Sequence, residues 1–204
     1  MYAIVENNEV KKIITNPKSL VIGDVRYPAK IFELWSQSEL NSIGIYKVIT
    51  DNTNFKDQAY YNNTNSSYTF ADNQVTESWG TATSKKLEDE DAKDKDGNNI
   101  LDENGNQVIN HGLKTIKKRI IKQQASGLLA PTDWYVVKAT EVADYSVPSN
   151  ITTFRADVRA KSNEMETQID ACTTVDELKA LYEYTQQEDG TQTRPLAEFP
   201  KEVV

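Results

Sequence analysis

Residues 148–178 read PSNITTFRADVRAKSNEMETQIDACTTVDEL, and their spacing decides what the second half of the chain is. Ile151, Phe154, Val158, Met165 and Ile169 recur at intervals of three, four, seven and four, the period of one helical face. Pro148 has a ring that pre-sets the backbone for a helix start, so a helix is predicted from Ser149 to about Ala171. Thr174-Val175-Asp176-Glu177 has the capping-box form, in which the first side chain and the fourth satisfy each other's free backbone N–H groups. It predicts another helix with Val175, Leu178, Leu181 and Tyr182 inward. The short link Cys172-Thr173-Thr174 then predicts an antiparallel hairpin of the two helices.

Working upstream, Leu113, Ile116, Ile120 and Ile121 predict an apolar stripe on a helix that begins near Gly112. Lys114, Lys118 and Lys122 lie four apart on another face, and Lys117 and Arg119 bring the basic residues to five in nine. Such a run suits an acidic partner or a solvated face; it lacks the interleaved aromatics of a single-strand nucleic-acid binder and the apolar bulk of a membrane helix. Pro131 is expected to end this helix, with Tyr135-Val136-Val137 short and extended. Downstream, Thr193–Phe199 and Pro200 carry two prolines, so residues 193–204 are expected to be an extended tail lying across a neighbouring subunit.

The first half reads differently. Tyr2–Val5 and Val10–Thr15 flank Glu6-Asn7-Asn8-Glu9, a hairpin signal in which the asparagines tolerate left-handed backbone. Strands are predicted at Val25–Tyr27, Ile45–Ile49, Tyr60–Asn62, Tyr68–Phe70 and Val75–Trp79, with one short helix after the capping box Ser36–Glu39 and a stop at Gly44. Residues 85–111 hold eight acids and four lysines around two turn signals, Asp96-Gly97-Asn98 and Asn104-Gly105-Asn106. They predict a hairpin excursion. A calcium loop is the alternative, with Asp94, Asp96, Gly97 and Glu103 in register, but its first position would be Ala92. The expected fold is therefore α+β: a β-rich module over 1–84, an acidic excursion over 85–111, a helical region over 112–192 and the tail.

Composition excludes much chemistry. A net charge of −8, from 23 basic and 31 acidic residues, disfavours a general nucleic-acid binder. The chain opens Met1-Tyr2-Ala3-Ile4-Val5-Glu6, without the basic start and long apolar run of a signal peptide, so synthesis in a cytoplasm is expected. The eight glycines are too dispersed for a dinucleotide fingerprint, a phosphate loop or a nucleophile elbow. His111 is the single histidine and Cys172 the single cysteine; a helical zinc pair needs two histidines, and a lone cysteine before an amphipathic helix reads as a small packed hydrophobe. No cofactor or metal is expected. Only a carboxylate pair, which has no local signature, keeps a glycan hydrolase open.

Leu128, Leu129, Thr132, Asp133 and Trp134, followed by Phe154, Arg155, Val158 and Arg159 on the next helix, resemble a motif of tail-fibre assembly and accessory proteins of tailed bacteriophages. Residues 18–48 resemble N-terminal modules of marine-phage virion proteins. Where the fibre family often ends in Trp-Pro, this chain has Phe199-Pro200. The resemblance implies a non-enzymatic virion protein of the tail, made in the bacterial host, a fibre or baseplate adaptor present in multiple copies in a symmetric assembly and contacting other tail proteins. A tail-fibre assembly chaperone is the alternative. Neither nucleic acid nor membrane is an expected partner. The residues expected at the interface or in the motif are Asp133, Trp134, Tyr135, Arg155, Arg159, Arg194 and Phe199. Trp134 and Tyr135 are expected to be core aromatics, and Asp133 to pair with Arg155 or Arg159.

Overall fold

The computed structural model describes residues 1–201 and shows an α+β protein whose chain divides into two compact units, Met1–Thr83 and a second that begins at Ser84. The first unit contains β1 (Tyr2–Glu6), β2 (Glu9–Ile14), β3 (Leu20–Ile22), β4 (Val25–Tyr27), α1 (Ile31–Leu34), α2 (Gln37–Ser42), β5 (Ile45–Asp51), β6 (Tyr61–Asn62), β7 (Ser66–Ala71), β8 (Gln74–Trp79) and the start of β9 (Thr83–Ser84). Its main sheet has the order β2-β1-β5-β8-β7, with only the β5–β8 pair parallel.

Turn chemistry sets this register. Asn7 and Asn8 have φ of 55° and 62°, and Asp72 and Asn73 have 49° and 63°; two successive left-handed residues give the turn whose twist matches a hairpin. Both faces of the sheet are covered. Ala3, Val5, Val48 and Val75 form one core with Tyr46, Tyr68 and Phe70 against it, while Ile31, Leu40 and Ile45 form another with Tyr2, Leu20 and Phe32. Ser36 caps α2 with the predicted reciprocal box. Gly44 ends it at φ 81°, where a Cβ would stand 2.8 Å from the carbonyl oxygen of Val5. A glycine is required there on both counts.

The second unit starts with β10 (Glu90–Asp91) paired to β11 (Ile109–Asn110). Between them the turn repeats itself. Asp94 accepts the N–H groups of Asp96 and Asn98, and Asp102 accepts those of Asn104 and Asn106, all at 2.8–2.9 Å. Ala92, Ile100 and Val108, eight residues apart, close a ring of three backbone hydrogen bonds. The excursion is therefore a hydrogen-bonded hairpin. The residues directly before Ala92 and directly after Glu103 are strand, bridge and turn rather than helix, which removes the calcium-loop geometry, and among the described residues no three His, Cys, Asp or Glu are placed to hold a metal ion.

Four helices follow: α3 (Leu113–Leu129), α4 (Asp133–Glu141), α5 (Ser149–Ala171) and α6 (Val175–Ala180), then the small hairpin β12 (Thr185–Gln186) and β13 (Gln192–Thr193). The predicted seam of α5 is buried throughout: Ile151, Phe154, Val158, Met165 and Ile169 are each at most 4% exposed. Its principal partner is α3, not α6 as the capping-box spacing suggested. α6 has six residues, and Leu181 and Tyr182 are only half-buried beyond its end. The face of α3 also differs from expectation. Leu113 and Ile121 are buried, but Ile116 and Ile120 are about 40% exposed, because the lysine row is turned toward acidic groups of the same unit. Lys114 reaches Glu88 (2.5 Å), Lys118 reaches Asp170 (2.7 Å) and Lys122 reaches Glu166 (3.2 Å). As the lysine number rises along α3 the α5 number falls, so the helices run antiparallel. The stems of Lys114 and Lys118 cover apolar surface while their heads pair at its edge.

The N-terminus of α3 is capped by residues 86–89. Asp89 accepts the Gly112 N–H (2.8 Å) and meets Nδ1 of His111 (3.0 Å), and Leu113 and Lys114 donate to the carbonyls of Lys86 and Leu87. A Cβ on Gly112 would overlap the backbone of Leu87 and Glu88. Gly112→Ala is accordingly expected to cost about 1–3 kcal/mol and to unprotect the first α3 amides in hydrogen exchange; unchanged protection would contradict this cap.

The His111 contact, then the Gly112 N–H, hold the Asp89 carboxyl down at about 2. A depressed carboxylate stabilises the fold above its unfolded value near 4 and loses that contribution as pH falls toward 2. Asp89→Asn should flatten this part of the acid-unfolding curve between about pH 4 and 2. Superimposable acid limbs of the two proteins would contradict it.

Candidate interaction surface

The chain does not become extended after Pro131. Ala130–Thr132 form a 3₁₀ turn with Pro131 in its first turn, where a missing N–H costs nothing. Helix then resumes as α4 and includes Tyr135, Val136 and Val137. Two adjacent valines suggest a strand by propensity, but Asp133 at the positive end of α4 favours the helical restart.

Arg155 makes the joint. Its Nη1 donates to the Leu129 carbonyl (3.1 Å), to the Thr132 hydroxyl oxygen (2.5 Å) and to Asp133 Oδ1 (2.8 Å). A guanidinium here satisfies an orphan carbonyl at the end of α3 and ties the first residue of α4 to α5. The side chain of Arg155 is 12% exposed. Arg159 lies one turn on and donates to the Arg155 carbonyl at 3.2 Å, so Asp133 pairs with Arg155. Beneath the joint, Ala125, Phe154 and Val158 form a core that Leu128, Leu129 and Phe199 pack against.

The motif residues thus assemble into one junction, and the large apolar one left outside is Trp134. It is 51% exposed, Val136 42% and Val137 53%, and α4 contains no buried residue. The expectation that Trp134 and Tyr135 are core aromatics is therefore corrected: Trp134 is an exposed ring and Tyr135 half-buried. Their ring centroids lie 3.8 Å apart. Lys138, one turn along, sits 5.8 Å from the Trp134 centroid and 4.3 Å from that of Tyr145, close enough for cation–π attraction. This cluster leaves α4 apolar and aromatic outward with one cation among the rings. The Trp134–Lys138 spacing of four was readable from sequence; the contribution of Tyr145, from beyond the helix, was not.

Arg194 lies away from this junction, whereas Phe199 reaches its core from the tail. The expected tail across a neighbour folds instead onto its own unit, through residue 201, with 202–204 outside the described residues. Leu196 is 1% exposed. Its N–H donates to the Leu181 carbonyl (3.0 Å), and the Gln168 amide both donates to the Pro195 carbonyl (3.0 Å) and accepts from Ala197 N–H (2.9 Å). Arg194 lies over the rings of Tyr184 (5.2 Å) and Tyr182 (6.0 Å) and pairs with Glu198 (3.4 Å). Two prolines made the segment non-helical, as expected, without making it free.

A comparison with family models, curated proteins and solved structures finds no match to this chain.

Proposed function

We propose that the chain is a non-enzymatic structural protein of a bacteriophage tail, a fibre or baseplate adaptor that acts through protein–protein contacts, with the outward face of α4 as its principal contact. The observation that carries the contact is a helix with Trp134, Val136 and Val137 exposed and nothing buried, held at its start by the Arg155 joint. Exposed aromatic and aliphatic side chains grouped on a rigid element are what interfaces use as anchors, and a helix contributing no buried side chain does little for its own core. The resemblance of residues 128–134 and 154–159 supplies the tail setting; those residues build the joint from which α4 projects. Three clefts among the described residues, at β2, at Arg194 and at Ser149, carry one carboxylate each, Glu6, Glu198 and Asp157, whereas the hydrolase reading needs a facing pair.

Quantitative mass spectrometry of purified virions tests the setting. Stoichiometric presence supports the adaptor; presence in the infected cell but not in particles supports the chaperone. Trp134→Ala with Val137→Asp tests the surface. The double variant is expected to melt within about 0.5 kcal/mol of the parent and to lose about 2 kcal/mol or more of affinity for its tail partner. Normal incorporation of the double variant into particles would remove α4 from the interface.

A further inference from the structure

The cleft at Arg194 in the second unit has no residue of α4 in its lining and measures about 480 Å³, within the range of ligand sites. Gly127 of α3 borders it. This glycine sits inside a continuous helical run, since α3 passes at Leu129 into the Ala130–Thr132 turn, and glycine is among the least favourable residues for a helix interior. The fold itself does not ask for it. Gly127 is not among the glycines with positive φ, and beyond its chain neighbours and its own helix backbone no heavy atom lies within 4 Å of where a Cβ would stand. Gly44 and Gly112 differ, because a Cβ on either would strike backbone. A helix glycine free of both demands leaves bare backbone at the cleft, the arrangement that lets a ligand approach closely.

Arg194 supplies charge. Its Nε is buried and makes no hydrogen bond among the described residues, with Glu198 Oε1 standing off at 3.4 Å. That same oxygen accepts from the Tyr184 hydroxyl at 3.2 Å. A guanidinium has five N–H donors in a fork that matches a carboxylate, so this one keeps capacity that Glu198 does not fill. Tyr184 is 52% exposed, yet Glu198 holds its hydroxyl and Arg194 lies 5.2 Å from its centroid. Leu128 and Phe199, both half-buried, complete an apolar side. A cation with open donors, a fixed aromatic face and bare backbone together select a flat group that carries an anion.

We propose that this cleft binds an aromatic carboxylate, with the carboxylate on the Arg194 guanidinium and the ring against the Gly127 backbone. The chain as a whole carries −8, so general attraction for anions is absent and the recognition is local to Arg194.

Sodium benzoate titrated into the full ¹⁵N-labelled chain is expected to move the amides of Gly127 and Leu128 and the Arg194 Nε–H signal. Benzamide, its neutral isostere, is expected to move none of them. Gly127→Ala is the decisive variant, because helix propensity and close approach act in opposite directions. It should melt about 2–4 °C above the parent and bind benzoate about tenfold or more weakly. Arg194→Gln should weaken binding at least as much; the benzamide control and Gly127→Ala do not depend on its folding. Acetyl-glycyl-phenylalanine with a free terminal carboxylate separates two sources of the same chemistry: tighter binding than benzoate assigns the ring to the carboxy terminus of a protein, weaker binding to a free acid. No shift at millimolar benzoate, shifts confined to other residues, equal shifts with benzamide, or parental affinity in Gly127→Ala each overturn the proposal. So does a Gly127→Ala variant that melts below the parent, since the glycine would then serve the fold.

Discussion

A chain truncated before Arg194 is expected to lose the cooperative melting of its helical unit. The segment removed is a wedge of the core. Leu196 sits at 1% exposure with its N–H on the Leu181 carbonyl, and Gln168 of α5 holds the backbone on either side of it. Phe199 packs against the Ala125, Phe154 and Val158 cluster. Removing a buried leucine alone costs about 2–5 kcal/mol. Adding a packed phenylalanine and the unpaired Gln168 amide brings the loss to about 5 kcal/mol or more, comparable to the whole stability of an ordinary domain. Circular dichroism melts and limited proteolysis of the truncated chain read this directly, and Leu196→Ala gives a graded version. A truncated chain with the parent's melting temperature would show the tail to be dispensable, the result expected if it served only a neighbouring subunit.

That reversal marks where the sequence stopped being legible. Local devices were readable because their chemistry lies within four residues: the Asn7-Asn8 turn, the boxes at Ser36 and Thr174, the seam of α5. Partner choice was not. The lysine row of α3 was visible as a charged face, but that its counter-charges are Glu88, Asp170 and Glu166 depends on contacts across dozens of residues, for which periodicity carries no information. Likewise a proline pair tells what backbone the tail lacks, not what its one leucine covers. Asp133 was expected to pair with Arg155 or Arg159, which lie four apart on one helical face; which of the two it meets depends on the fold, and it is Arg155. Exposure of Trp134 was missed because burial is the usual fate of such a ring, and its neighbours Val136 and Val137 were assigned to a strand that did not form. Departure from the usual burial draws attention to α4, where Trp134, Val136 and Val137 are exposed together on one anchored helix, and grouped apolar side chains of that kind want an occupant.

Phe154→Ala is expected to cost about 3–5 kcal/mol. The ring is 4% exposed and central to the cluster joining α5 to the end of α3, and the adjacent residue is Arg155. Losing the ring therefore opens a cavity beside the joint that presents α4. Hydrogen exchange should show the amides of residues 129–137 loosening more than those near Ile169, at the far end of the same helix. Phe154→Met, which keeps most of the volume, should cost less than about 1.5 kcal/mol. Leu181→Ala, at a half-buried position, should cost less than Phe154→Ala. A double-mutant cycle with Phe199→Ala isolates what the tail adds to the same cluster, and a coupling of about 0.5–1.5 kcal/mol is expected of packed aromatics. A denaturant midpoint unmoved by Phe154→Ala would contradict the packing of α5 on α3. Strict additivity with Phe199→Ala would instead leave that packing intact and detach the tail from it.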